Sequence, residues 1–192
     1  MKQAALRVVV AVAVCLLAAP AAAQQPSGPK DRGFALELHL GTRVTPVTVT
    51  GGVSFAAPLV DGGFFAGYKL GRFMIGGSLE YGRAAYDPDP GEKQSADRLL
   101  IMPGVRIAIL RSADERVELY GQADVGFGHY WVTDEEGPHV VCFQVGPGVR
   151  IWFHPNFSAS AMVGLRGEHY VRDDDSTGYT GIYASLAFTG VF

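Results

Sequence analysis

The stretch from Tyr179 to Phe192 constrains the fold more than any other part of the chain. Ile182, Ala184, Leu186, Phe188, Gly190 and Phe192 share one parity, and Gly181, Tyr183, Ser185, Ala187 and Thr189 share the other. Alternation over this length is the period of a β-strand with one apolar face and one small or polar face. The strand runs to the final residue and stops on an aromatic.

The opposite end carries an export signal. Lys2 and Arg7 lead an apolar run from Val8 to Ala19, and Pro20 and Ala21-Ala22-Ala23 follow before Gln24. A basic start, a short apolar core and an A-x-A site predict a secretory signal peptide over residues 1–23. The run is too short for an anchor, and no later one approaches the roughly 18 residues of a membrane helix. Cys15 follows Val14 and so lacks the small neighbour of a lipoprotein cleavage site. Residues 24–32, with Pro26 and Pro29, are expected as a flexible leader, and 33–192 as one domain.

Cleavage would remove two basic residues, Lys2 and Arg7, and no acid, taking the formal charge from −3 to −5. An acidic exported chain does not suit nucleic acid. One cysteine, Cys142, would remain, so no intramolecular disulfide is possible. Metal or nucleophile roles would need partners, and Cys142 reads as a small strand residue.

Period-two patterning recurs along the chain. Strands are expected from Gly33, over Gly63–Leu70, from Phe73 to Tyr81, over Arg98–Leu110, Val117–Trp131 and His139–Phe153, from Phe157 to Glu168, and in the closing stretch. Tight turns near Gly71, Ser112 and Pro155 alternate with longer connections at Val44–Gly62, Arg83–Asp97, around Asp134-Glu135-Glu136, and at Arg172–Gly178. The first long connection holds a small hairpin signal, Val47–Val49 against Val53–Phe55, turning at Gly51-Gly52. The prediction is all-β: an eight-stranded antiparallel up-and-down transmembrane β-barrel with both ends on the periplasmic side.

A soluble barrel such as a lipocalin would also have eight strands, but with the apolar face inside. Here one parity is almost free of charge, with aromatics gathered at strand ends. Phe34, Tyr68, Phe73, Phe153, Phe157 and Phe192 fall near the tight turns, and Phe64, Tyr81, Phe127 and Phe143 toward the loops. The other parity holds Glu37, His39, Lys69, Glu80, Arg106, Glu118, Asp124, Arg150, Arg166 and Glu168 among many glycines. Charge inside and two aromatic girdles outside form the pattern that a bilayer selects.

Two strands share a five-residue identity, Pro103-Gly-Val-Arg-Ile107 and Pro147-Gly-Val-Arg-Ile151, at an offset of 44 residues (147 − 103). Hairpin duplication and convergent pressure on lumen positions both account for it. Each copy sets a proline mid-strand, where a ladder hydrogen bond is lost, so bulges are expected at both.

With its signal peptide, amphipathic strands and terminal Phe192, the chain resembles the small eight-stranded bacterial outer-membrane β-barrels. That class includes the transmembrane domain of outer membrane protein A and the opacity-type adhesins. The resemblance implies the outer membrane of a Gram-negative cell, contact with its lipids and lipopolysaccharide, a monomer, and reading of Phe192 by the barrel assembly machinery. Because the chain ends at strand eight, the peptidoglycan-binding domain of full-length outer membrane protein A is not expected.

Some barrels of this class modify lipid A. A deacylase would need a His-x-Ser pair facing lipid with a carboxylate to orient the histidine. His39, His129, His139, His154 and His169 all lack the serine. No catalytic, cofactor or metal residue is therefore assigned, and no enzyme is expected. A narrow channel or transport barrel is the alternative, although eight strands enclose only enough space for side chains to fill. A conduit like the outer membrane protein W family would want an apolar lumen. The acidic tips Asp134–Glu136 and Asp173–Asp175 lack the spaced ligands of a calcium loop and read as solvated. The expectation is a structural or surface-interaction barrel acting through its external loops. Its lumen should be plugged by pairs in which Glu118 contacts Arg106 or Arg150.

Overall fold

The computed structural model describes residues 28–44, 46–49, 52–55, 59–89, 92–132, 135–172 and 175–192. The expected signal peptide, Cys15 within it, and Asp134, Asp173 and Asp174 of the acidic tips lie outside these residues.

Among the described residues ten strands follow one another: β1 (Arg32–Val44), β2 (Pro46–Val49), β3 (Gly52–Phe55), β4 (Leu59–Leu70), β5 (Phe73–Asp89), β6 (Glu92–Arg111), β7 (Val117–Val132), β8 (Glu135–His154), β9 (Phe157–Arg172) and β10 (Asp175–Val191). Eight close into a barrel in the order β1-β10-β9-β8-β7-β6-β5-β4, and β2-β3 form a separate hairpin within the first long connection. Every barrel pairing is antiparallel, including the seam between β1 and β10. At that seam Phe34 N–H donates to Phe192 O (2.9 Å) and Phe192 N–H to Phe34 O (2.8 Å). Closure leaves no sheet edge, which a lipid-exposed sheet cannot afford.

The two faces sort as their parities require. Leu38 and Leu40 are each 68% exposed on the outer wall, whereas Arg98 and Arg166 are 0% exposed inside. Exposed Phe34, Phe64, Ile75, Ile101, Val125, Phe143, Val163, Leu165 and Phe188 continue the apolar wall around the barrel. That is the reverse of a soluble barrel, and it needs hydrocarbon as its outer solvent. At the turn end, aromatics interlock across strands: Phe157 stacks on Phe188 (6.2 Å) and meets Phe192 edge-on (5.9 Å).

Three differences from the sequence reading have physical causes. The long connections are mostly strand: β5 pairs β6 as far as Asp89↔Glu92, and β9 pairs β10 as far as Arg172↔Asp175. Polar residues there suggest loop, yet a ladder already running in register can extend into water as a ribbon. The small hairpin exists, but its register joins Val49 to Gly52, so Gly52 belongs to the strand and not to the turn. The bulges are not at the prolines. The β6–β7 register is unchanged across Pro103 (Ile101↔Phe127, Gly104↔Asp124), and the β8–β9 register is unchanged across Pro147 (Val145↔Leu165, Gly148↔Met162). Each proline leaves a gap in one ladder without adding a residue. In these two ladders the shifts fall nearer the turn end, between Ala108 and Leu110 and between Trp152 and His154. In the β5–β6 and β7–β8 ladders they fall at the hairpin end, between Tyr86 and Asp89 and between His129 and Trp131.

The segment before β1 crosses the turn end. Lys30 N–H donates to Pro155 O (2.8 Å), Gly71 N–H donates to Asp31 O (2.6 Å), and the Lys69 ammonium donates to Lys30 O (2.6 Å). In the β6–β7 turn, Ser112 Oγ donates to Asp114 Oδ1 (2.5 Å) and accepts from Val117 N–H (2.9 Å). The Ser112 hydroxyl holds the exposed Asp114 carboxyl below its ordinary value.

Candidate functional site: a charged lumen

The pleat sends alternate residues inward, so each strand contributes one column of side chains to a narrow interior. Small residues leave the room. Gly67 pairs with Gly76, and Gly76 with Gly104, so three strands present bare backbone in one row. The Phe65 ring lies over Gly67 and Gly76, the Asp124 carboxylate lies over Gly104, and the Arg106 guanidinium carbon sits 3.8 Å from the Phe65 ring centroid.

The charges form two tiers. In the tier toward the long hairpins, Arg98 of β6 pairs with Asp61 of β4 and, across the lumen, with Glu168 of β9. Arg166 of β9 reaches Glu80 Oε2 (2.7 Å), Glu168 Oε1 (3.0 Å) and Asp61 Oδ2 (3.7 Å). Its Nη1 also donates to Gln144 Oε1 (3.3 Å). His39 Nε2 lies 3.1 Å from Glu80 Oε1, and Tyr170 donates to Glu168 Oε2 (2.5 Å).

In the tier toward the turns, Glu37 is the centre. Its Oε1 is 3.0 Å from Arg106 Nη2, and its Oε2 accepts from Arg150 Nη2 (3.1 Å) and Thr189 Oγ1 (2.8 Å). Arg106 and Arg150 are the arginines of the two repeat copies, on β6 and β8. Around the closed order, β1 lies three strands from each of them, by opposite routes. Glu37 therefore takes one guanidinium on each oxygen. Asp124 joins from β7 (4.0 Å from Arg106 Nη1), held by Gln122 Nε2 (2.6 Å). Tyr120 and Trp152 flank the Arg150 guanidinium at 4.8 and 5.9 Å.

Glu118 does approach Arg150, at 3.9 Å, but its close partner is Arg111 Nε at 2.9 Å. The carboxylate shared by Arg106 and Arg150 is Glu37, not Glu118. Adjacency of strands suggested Glu118, but side chains this long meet across so narrow a barrel as readily as along its wall. Asp61, Arg98 and Arg111 were missed as lumen residues. Asp61 and Arg98 share the inward parity of Phe65 and Arg106: Arg98 is the first residue of its expected strand, and extending the Gly63–Leu70 strand by two residues reaches Asp61. Arg111 lies at the strand end, past the register shift, where parity no longer guides.

Burying so many charges is costly, and they persist because they are paired: Glu37, Asp61, Glu168, Arg98 and Arg166 each meet two or more opposite charges. The arrangement ties together walls that share no ladder. The paired side chains fill the space between them. Cys142 is a buried free thiol packed with Leu100, Met102 and Val140. Of the histidines, His39 is in the lumen, His154 ends β8, and His129, His139 and His169 have outward parity near the hairpin end.

No protein-family model and no curated protein matches the sequence. Solved structures do. The crystal structure of Neisserial surface protein A matches with a TM-score of 0.61 at 16% identity, over 83% of this chain and 97% of that one. The outer membrane protein OprG from Pseudomonas aeruginosa matches with a TM-score of 0.49 at 9% identity, over 87% and 99%. The attachment invasion locus protein Ail of Yersinia pestis matches with a TM-score of 0.45 at 18% identity, over 82% and 99%. The alternating faces, the closed order and the first of these matches agree: the chain has the fold of the small eight-stranded outer-membrane β-barrels.

Proposed function

We propose that the protein is a closed barrel of the outer membrane that acts through the hairpins it raises outside the cell, not as a conduit. The observation that carries this is the two-tiered lumen, in which Arg98–Glu168 and Glu37 with Arg106 and Arg150 bridge opposite walls. An ion entering would have to displace buried, paired charges. Spanning hydrocarbon takes about 9–11 residues of tilted strand. β6 and β8 have 20 each, so their outer portions stand clear of the bilayer as ribbons. Such ribbons suit contact with a macromolecule. In this reading the outer wall meets lipid and lipopolysaccharide, the barrel works as a monomer, and the assembly machinery engages Phe192 during insertion.

Planar-bilayer recording of the refolded chain tests the closed lumen: no sustained conductance is expected, and a steady ion-selective open state would overturn the proposal. A deletion strain tests the rest. Surface adhesion should fall while lipid A acylation stays unchanged. An altered acylation profile would point instead to an enzyme.

A further inference from the structure

The charged lumen leaves one pair of side chains unused. His129 of β7 and His139 of β8 are directly opposed in the ladder, on the lipid-facing parity. Their Nδ1 atoms face each other at 3.4 Å, with ring centroids 5.1 Å apart and planes tilted by 56°. Among the described residues, neither ring hydrogen-bonds to anything else.

We propose that His129 and His139 form a two-imidazole clamp for a transition-metal dication of the zinc or copper class on the barrel's outer rim. The 3.4 Å gap is long for a hydrogen bond between ring nitrogens, which prefers about 2.7–3.2 Å. It suits two nitrogens on one metal: zinc–nitrogen bonds of about 2.0–2.1 Å at a tetrahedral angle place the ligand atoms about 3.3–3.4 Å apart. Little reorganisation is needed. The ladder sets the two Cα atoms opposite each other, at the last pair before its register shifts toward Trp131, and Trp131 packs edge-on against the His129 ring at 4.8 Å, restricting its rotation.

The surroundings narrow the ligand further. Phe127 and Val141, the pair next to the histidines in the ladder and both exposed, end the apolar wall, so the clamp sits where hydrocarbon gives way to headgroups. Two protein ligands leave coordination positions open to water or a phosphate oxygen. Imidazole favours zinc, copper and nickel over calcium and magnesium, which take oxygen. His169 is not a third ligand: its Nδ1 turns toward Gly178, and no cluster of three or more His, Cys, Asp or Glu fit for a metal occurs among the described residues.

The test uses the full mature chain, purified without a polyhistidine tag and refolded in detergent micelles. Zinc binding is followed by calorimetry, and copper(II) binding by electron paramagnetic resonance. One equivalent should bind with a two-nitrogen signature, unaffected by excess magnesium. His129→Ala and His139→Ala should each weaken binding at least tenfold and remove one nitrogen, while His169→Ala should leave both readouts unchanged. Heat-modifiable gel mobility confirms that each variant is folded. If His129→Ala does not fold, His139→Gln at the more exposed position carries the same expectation. Binding no stronger than in the double variant, or equally reduced by His169→Ala, would overturn the clamp.

Discussion

Arg150 Nη2 lies 3.1 Å from Glu37 Oε2, 113 residues away in the chain and on a strand with which β1 shares no ladder. Arg106 holds the other oxygen of the same carboxylate at 3.0 Å. Glu37→Ala would leave two buried guanidinium groups short of a counter-charge and should cost about 3–5 kcal/mol. Glu118→Ala should cost less, because its close partner Arg111 can turn to water (13% exposed, against 3% for Arg150). Urea unfolding in lipid vesicles measures both, and equal midpoints would show that Glu37 is not the centre of its tier.

Gly76 has a sharp control in its neighbour. A Cβ at Gly76 would meet Ala66 O, the Gly67 backbone and the Phe65 ring that carries Arg106. A Cβ at Gly77 points to lipid and meets nothing nearer than 3.7 Å. Gly76→Ala should destabilise by about 1–3 kcal/mol through overpacking, with Gly77→Ala close to wild type. The folded fraction on unboiled gels across a urea series separates the two.

The chain has two tryptophans, one on each face: Trp131 is 40% exposed outward and Trp152 is 3% exposed in the lumen. In single-tryptophan variants, lipids brominated near the headgroup should quench Trp131 strongly and Trp152 little. Similar quenching of both would contradict the inside-out pattern.

Phe192 combines two roles that variants can divide. Its backbone closes the seam with Phe34, and its ring meets Phe157. Phe192→Ala keeps the backbone pair, so refolding in vitro should be near normal. If the ring is the assembly signal, the same variant in cells should reach the outer membrane poorly while still being exported. Normal surface abundance would make Phe192 one more aromatic of the turn-end belt.

Most of the barrel was legible because lipid enforces one rule on every strand: alternate residues must be apolar. Leu36, Leu38 and Leu40 against Glu37 and His39 state that rule without ambiguity. Outside the bilayer it lapses, which is why the Arg83–Asp97 stretch looked like a loop although the ladder continues to Asp89. Parity placed Arg106, Arg150, Glu118 and Arg166 in the lumen. It gave no means of choosing partners, since Glu37 and Arg150 meet across the lumen and share no register. The prolines misled for a related reason. A missing N–H can be tolerated as a gap in one ladder, whereas a bulge needs an extra residue.

The position of Glu37 opposite the duplicated arginines links the barrel's electrostatics to its circumference. A hairpin could be inserted or removed without offending the lipid-facing wall, since any further amphipathic pair would serve there. Inside, the change would move β1 from its place three strands from both β6 and β8, and Glu37 could no longer hold both guanidinium groups. Drift in strand number is thus opposed from within: the count of eight is fixed by where one carboxylate must stand.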